Sequence, residues 1–213
     1  MDNVWVDLLA RWFHGLFGIT WIGLLYYFNF VQGEYFKEAS QEALPDVKAK
    51  LATRALWWFR WGAMMTFITG IVLLGVLGAA VNGWIILGAL MGTFMMLNVW
   101  LIIWPNQKVV LGLTSGDVPS SAAKAGLASR TNTLFSAPML FCMFASKHGA
   151  AVAAGMIPVM SGWSTGLLAA LAVAVLIELN ALFGKMGPMA SVKGVIHLSL
   201  LLTVVLAGLV VYL

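Results

Sequence analysis

Three histidines, His14, His148 and His197, are the only imidazoles in this chain, and each lies in or beside an apolar segment. Neutral imidazole is a proton acceptor and a metal ligand at physiological pH. His14 stands at the head of "FHGLFGITWIGLLYYFNF" (13–30). Asp7, Arg11 and His14 follow the i, i+4, i+7 spacing of one helical face, and Gly18 continues it. An Asp7–Arg11 pair neutralises both charges. Gly15 and Gly18 leave room beside the imidazole for a flat macrocycle, and an arginine suits its propionates. His148, next to Lys147, closes the fourth apolar segment at a similar depth. Two neutral imidazoles on different helices can ligate haem b axially. The same spacing also fits His14 as a hydrogen-bonded packing residue and His148 as an interfacial one.

A second group lies toward the other face. Apart from Asp7 at the outer edge of the first, Glu178 is the one acid inside a predicted span, roughly seven residues from the end of the fifth, and His197 lies roughly seven residues into the sixth. Both are therefore expected near 10 Å depth on antiparallel neighbours. A carboxylate beside an imidazole can orient it, stabilise its cation or relay protons. Glu178, His197 and Arg60 are the candidates for catalytic groups. An ion pair of Glu178 with Arg60 or Lys193 is the structural alternative. Asn98, Arg130 and Asn132 fall near the same level.

The elements that position these groups are membrane helices. The chain has 213 residues, 62% hydrophobic and only 9% charged, with a mean hydropathy of +0.94. Soluble domains carry roughly a quarter charged residues. Six spans are expected, near 5–31, 56–79, 82–104, 130–150, 163–184 and 190–213, as an all-α bundle forming one domain over 1–213. Pro138 interrupts the fourth. The segment 33–54 reads as a surface helix broken at Pro45, and 105–130 as a long Gly/Ser/Pro-rich loop.

Lys37, Lys48, Lys50, Arg54, Lys108, Lys124, Arg130, Lys185 and Lys193 gather on connections one, three and five. The positive-inside rule then places both termini outside. The acidic start "MDNVWVDLLARW" predicts no cleaved signal. The net charge of +4 is spread over loops and gives no nucleic-acid patch. Cys142, the single cysteine, excludes a disulfide within the chain and the cysteine pair of a covalent c-type haem. Met64, Met65, Met91, Met95 and Met96 read as packing, not as a copper site.

Four stretches carry a family resemblance: "FHGLFGITWIGLLYYFNF" (13–30), "LWWFRWGAMMTFITGIVLL" (56–74), "NVWLIIWPNQKVV" (98–110) and "LASRTNTLFSAPMLFCMFASKHG" (127–149). The sequence resembles the membrane domain of the bacterial membrane-bound urate oxidase family (urate hydroxylase PuuD type), over roughly residues 10–150. The resemblance implies a multi-helix domain of the bacterial inner membrane. In full-length members this domain precedes a periplasmic cytochrome c domain, which requires the C-terminus outside. It also implies urate oxidation with electrons passed to cytochrome c, which this chain would meet as a separate protein. "FHGLFGITWIG" is also similar to the first helix of HemJ- and CopD-like haem-binding proteins, and that implies a ligand role for His14. Trp57 stands where the family usually has histidine, and "GEYFKEASQ" is shorter than the family's Gly-rich loop. Three functions fit: a haem b oxidoreductase in which His14 is paired with His148 or His197, an accessory subunit of a larger respiratory or oxygenase complex, and a small transporter using Glu178 and His197.

Overall fold

A computed structural model of the protein describes residues 4–148 and 150–213. Six long helices run back and forth: α1 Val4–Glu38, α2 Ala43–Ala80, α3 Gly83–Val110, α4 Val118–His148, α5 Thr165–Phe183 and α6 Val192–Tyr212. Gly166, at the start of α5, packs against the backbone of Leu209 near the end of α6. With six helices running back and forth, the start of α1 and the end of α6 lie at one end of the bundle, the terminal end. The 39–42, 111–117 and 184–191 connections lie at the far end.

Five of these helices are long and apolar enough to cross a membrane, so the protein is a multi-pass membrane protein whose outer faces meet lipid. α4 is the sixth helix and is polar for a reason visible in its packing. Six consecutive residues, Thr131 to Ser136, are all buried. A helix buried on every side in succession is surrounded by protein. Lipid therefore does not see this part of α4, and its hydroxyls and amides bond to neighbours.

Pro138 lies inside α4. Proline has no N–H, so the carbonyl four residues earlier loses its helical donor. That carbonyl, Leu134 O, accepts instead from Ser199 Oγ on α6 at 2.8 Å. The break expected at Pro138 is thus repaired across the helix interface. Small residues set the other crossings. A Cβ on Gly88 of α3 would come within 3.0 Å of Cys142 Cβ on α4. One on Gly62 of α2 would come within 3.3 Å of the Trp21 backbone nitrogen on α1. Leu25, Phe59, Trp84, Phe135, Leu167 and Leu206, one from each helix, join a single buried cluster.

Side-chain caps start three helices: Asn82 before α3, Ser164 before α5 and Ser191 before α6. Gly78, at φ +49, ends the regular part of α2 in a conformation that glycine adopts freely. α1 to α4 are longer than the sequence reading gave, while α5 and α6 fall within the spans expected over 163–184 and 190–213. Pro45 falls in the first turn of α2, where proline is tolerated, so the surface helix expected over 33–54 is divided between α1 and α2. Likewise, most of the loop expected over 105–130 is helical, and only 111–117 connects α3 to α4. At about 1.5 Å per residue, α1 and α2 reach about 52 and 57 Å, well beyond a hydrocarbon core of about 30 Å.

Candidate functional site

His14 is half-buried on α1, facing α2. Its Nδ1 lies 3.1 Å from Thr69 Oγ1. The single proton of that hydroxyl points to its own helix, with Met65 O at 2.7 Å and Thr66 O at 3.0 Å. Thr69 is therefore the acceptor and His14 Nδ1–H the donor, which leaves the lone pair of the neutral ring on Nε2. Gly70 admits the ring edge, since a Cβ there would lie 3.3 Å from His14 Cε1. One turn toward the terminus, Arg11 donates to Asp7 at 2.8 Å, so the expected pair forms.

His148 ends α4 and is exposed. Its height follows from a bond between the antiparallel α1 and α4: Tyr26 Oη lies 2.8 Å from Ser136 Oγ. His14 and His148 each lie twelve residues from that anchor toward the terminal end, about 18 Å along the axis. Other contacts set them apart. Counted from the Asn29–Ser129 bond, His148 lies about 6 Å nearer the terminal end than His14. The His14 ring packs against Gly70, ten residues before the end of α2, whereas Asn82, just past that end, donates to Ser146 O, so the offset at the histidines themselves is about 10–15 Å. Through the Ser199–Leu134 bond, His197 lies about 24 Å from the level of His148. That gap is beyond what two side chains span around one metal ion.

His197 does share the level of Glu178, yet the two face different ways. His197 is exposed, whereas Glu178 is buried and turns toward α3 and α4. Asn98 Nδ2 donates to Glu178 Oε2 at 3.1 Å and to Asn132 Oδ1 at 2.9 Å. Asn132 Nδ2 in turn donates to Met95 O at 2.9 Å. Asn98 Oδ1 is buried without a hydrogen-bond partner. Among the described residues the ion pairs are Asp7–Arg11, Glu34–Lys37 and Asp46–Lys50, so neither Arg60 nor Lys193 pairs with Glu178. The Arg60 guanidinium lies 3.8 Å over the Trp104 ring, and its backbone carbonyl accepts from Trp100 Nε1. Cation–π contact replaces the ion pair that charge alone suggested.

Two partners escaped sequence reading. Thr69 looked like an ordinary helical threonine, and only its spacing to Gly70 marks the face that receives His14. Ser199 had a readable cause in Pro138, which frees a carbonyl that some donor must meet. No group of three or more metal-ligating side chains forms among the described residues. The methionines expected to be packing are so placed where Met91 and Met95 are concerned, both fully buried.

A groove of about 210 Å³ opens between α1, α4 and α6, lined by Tyr26, Phe30, Ser136 and Ser199 among others. It lies well away from the level of His14.

No curated protein and no solved structure matches the chain. A family model described as urate oxidase N-terminal matches residues 77–206, from the last turn of α2 into α6. The match takes in Asn98, Asn132, His148, Glu178 and His197, while His14 and Arg60 precede it. It covers more than half of the chain, and the protein belongs to the urate oxidase N-terminal family.

Proposed function

We propose that this chain is a haem b-binding membrane oxidoreductase or electron-transfer domain of the urate oxidase type, in which His14 and His148 would hold the haem iron. The observation that carries the reading is the His14–Thr69 bond, which holds the half-buried imidazole of α1 in one tautomer. The donor set fits: Thr69 commits Nδ1–H of His14 and leaves Nε2 to coordinate, the usual arrangement around a metal-bound histidine. Space fits as well. A Cβ on Gly15 would meet nothing within 4 Å, and one on Gly18 would meet only the Thr66 methyl at 4.0 Å.

When bound, haem supplies a one-electron carrier whose potential follows ligand identity and burial. The chain's own part is to hold the His14 ring in one tautomer, and the Arg11–Asp7 pair would offer a cation to a haem propionate. With the terminal end toward the periplasm of a bacterial inner membrane, electrons pass to a separate periplasmic cytochrome c. Urate as the electron source rests on the family assignment. The test is an optical spectrum of protein expressed with ample haem precursor. A Soret band with reducible α and β bands supports the reading, and their absence removes it.

A second reading draws on the length of α1 and α2, whose far ends project beyond a bilayer. Such a hairpin fits an accessory subunit docked to a larger respiratory or oxygenase complex. Co-purification with such a complex, together with unchanged turnover after His14→Ala, favours that reading.

A further inference from the structure

Glu178 presents a charge problem. It is 8% exposed, inside a helix that crosses the membrane, and the hydrogen bond recorded for its side chain comes from one neutral amide. A carboxylate anion buried in such surroundings needs a cation or several donors. From α3 it meets Asn98, and from α4 Asn132 belongs to the same cluster. Arg130, two residues before Asn132, forms no ion pair with it, and Arg60 lies over Trp104. On α6, His197 shares its level but is exposed on another face.

The cluster has a second shortage. Both protons of the Asn98 amide nitrogen have acceptors, while Asn98 Oδ1, on a residue 1% exposed, is buried without a donor. An anion short of donors and an acceptor without one are relieved by the same addition, a positive charge. An alkali cation needs several more oxygens than the cluster leaves free. A proton needs one. α3 turns π-helical over Asn98–Ile103, beginning at the residue that bridges the cluster, as α1 and α2 do over Tyr27–Gln32 and Val47–Ala52.

We infer that Glu178 is a proton-binding site: a neutral carboxylic acid in the resting protein, whose proton exchanges with water at the far end of the bundle. Glu178 is five residues from the end of α5, about 8 Å from that end. The exchange is simple acid dissociation, giving a carboxylate and a proton taken up by water. It does not depend on haem and stands apart from His14 and His148.

Infrared spectroscopy of the full chain in phospholipid bilayers tests this, in sodium-free buffer at about pH 8, where ordinary carboxylates are ionised. The expected spectrum shows a protonated-carboxyl C=O stretch that moves to lower frequency in D2O and is lost in Glu178→Gln. Should that variant fail to fold, wild-type protein labelled with carboxyl-13C glutamate must show the same band displaced. Absence of the band in wild-type protein means an ionised carboxylate and overturns the proposal. A band that disappears on adding sodium also overturns it, in favour of a cation site.

Discussion

His14 Nδ1 donates to Thr69 Oγ1 across the α1–α2 interface at 3.1 Å, because the hydroxyl proton is already committed to the Met65 carbonyl. Thr69→Val keeps the shape and removes the acceptor. Haem affinity is expected to fall about 10–100-fold, the usual cost of losing such a support. The midpoint potential should shift as well, and Thr69→Ser should restore both. Haem titration and a redox titration read these quantities. Unchanged values in Thr69→Val would show that the bond does not act on the ligand.

The Ser199–Leu134 bond makes a prediction about stability alone. Ser199→Ala leaves a buried carbonyl without a donor and should cost about 1–3 kcal/mol. Pro138→Ala restores the helical N–H that meets the same carbonyl. The loss from Ser199→Ala should therefore be smaller in the Pro138→Ala background, a coupling that a double-mutant cycle measures. Strict additivity would contradict the account of the repaired break.

The α3–α4 crossing depends on the absence of a side chain at Gly88. Gly88→Val drives methyl groups into Cys142 and Met143 and should destabilise by about 1–3 kcal/mol. Gly208→Val is the control, since a Cβ there would meet nothing within 4 Å. Thermal unfolding in detergent compares the two. Equal losses would place the sensitivity in helix propensity and not in the crossing.

Much of this architecture was legible in the sequence because hydrocarbon imposes length and composition together. Six helices follow from six apolar stretches, and their order from the short connections. The ends were less legible. Pro45 reads as a break until its place in a first turn is known, and α4 reads as half a loop because its polar face meets protein. The candidate site was legible in its residue types and only partly in its pairings. Depth counting put His14 with His148 and Glu178 with His197. The second pair shares a level, yet Glu178 turns inward to Asn98 and His197 turns outward. Depth follows from residue number. The direction of a side chain depends on helix rotation, which an evenly apolar helix does not reveal.

That distinction separates the three histidines experimentally. His197→Ala should leave any haem spectrum unchanged in position and intensity, because the residue lies about 24 Å from the level of His148 and is exposed on α6. A low-spin signal lost in this variant would require a different ligand pair.

The central claim is axial ligation by His14 and His148, and the most direct test is the low-temperature electron paramagnetic resonance spectrum of the oxidised, haem-replete protein. The account expects a low-spin bis-imidazole signal in wild-type protein. It should be replaced by high-spin haem, or lost with the haem, in both His14→Ala and His148→Ala, while His197→Ala keeps it. A bis-imidazole signal that survives in either of the first two variants would contradict the assignment.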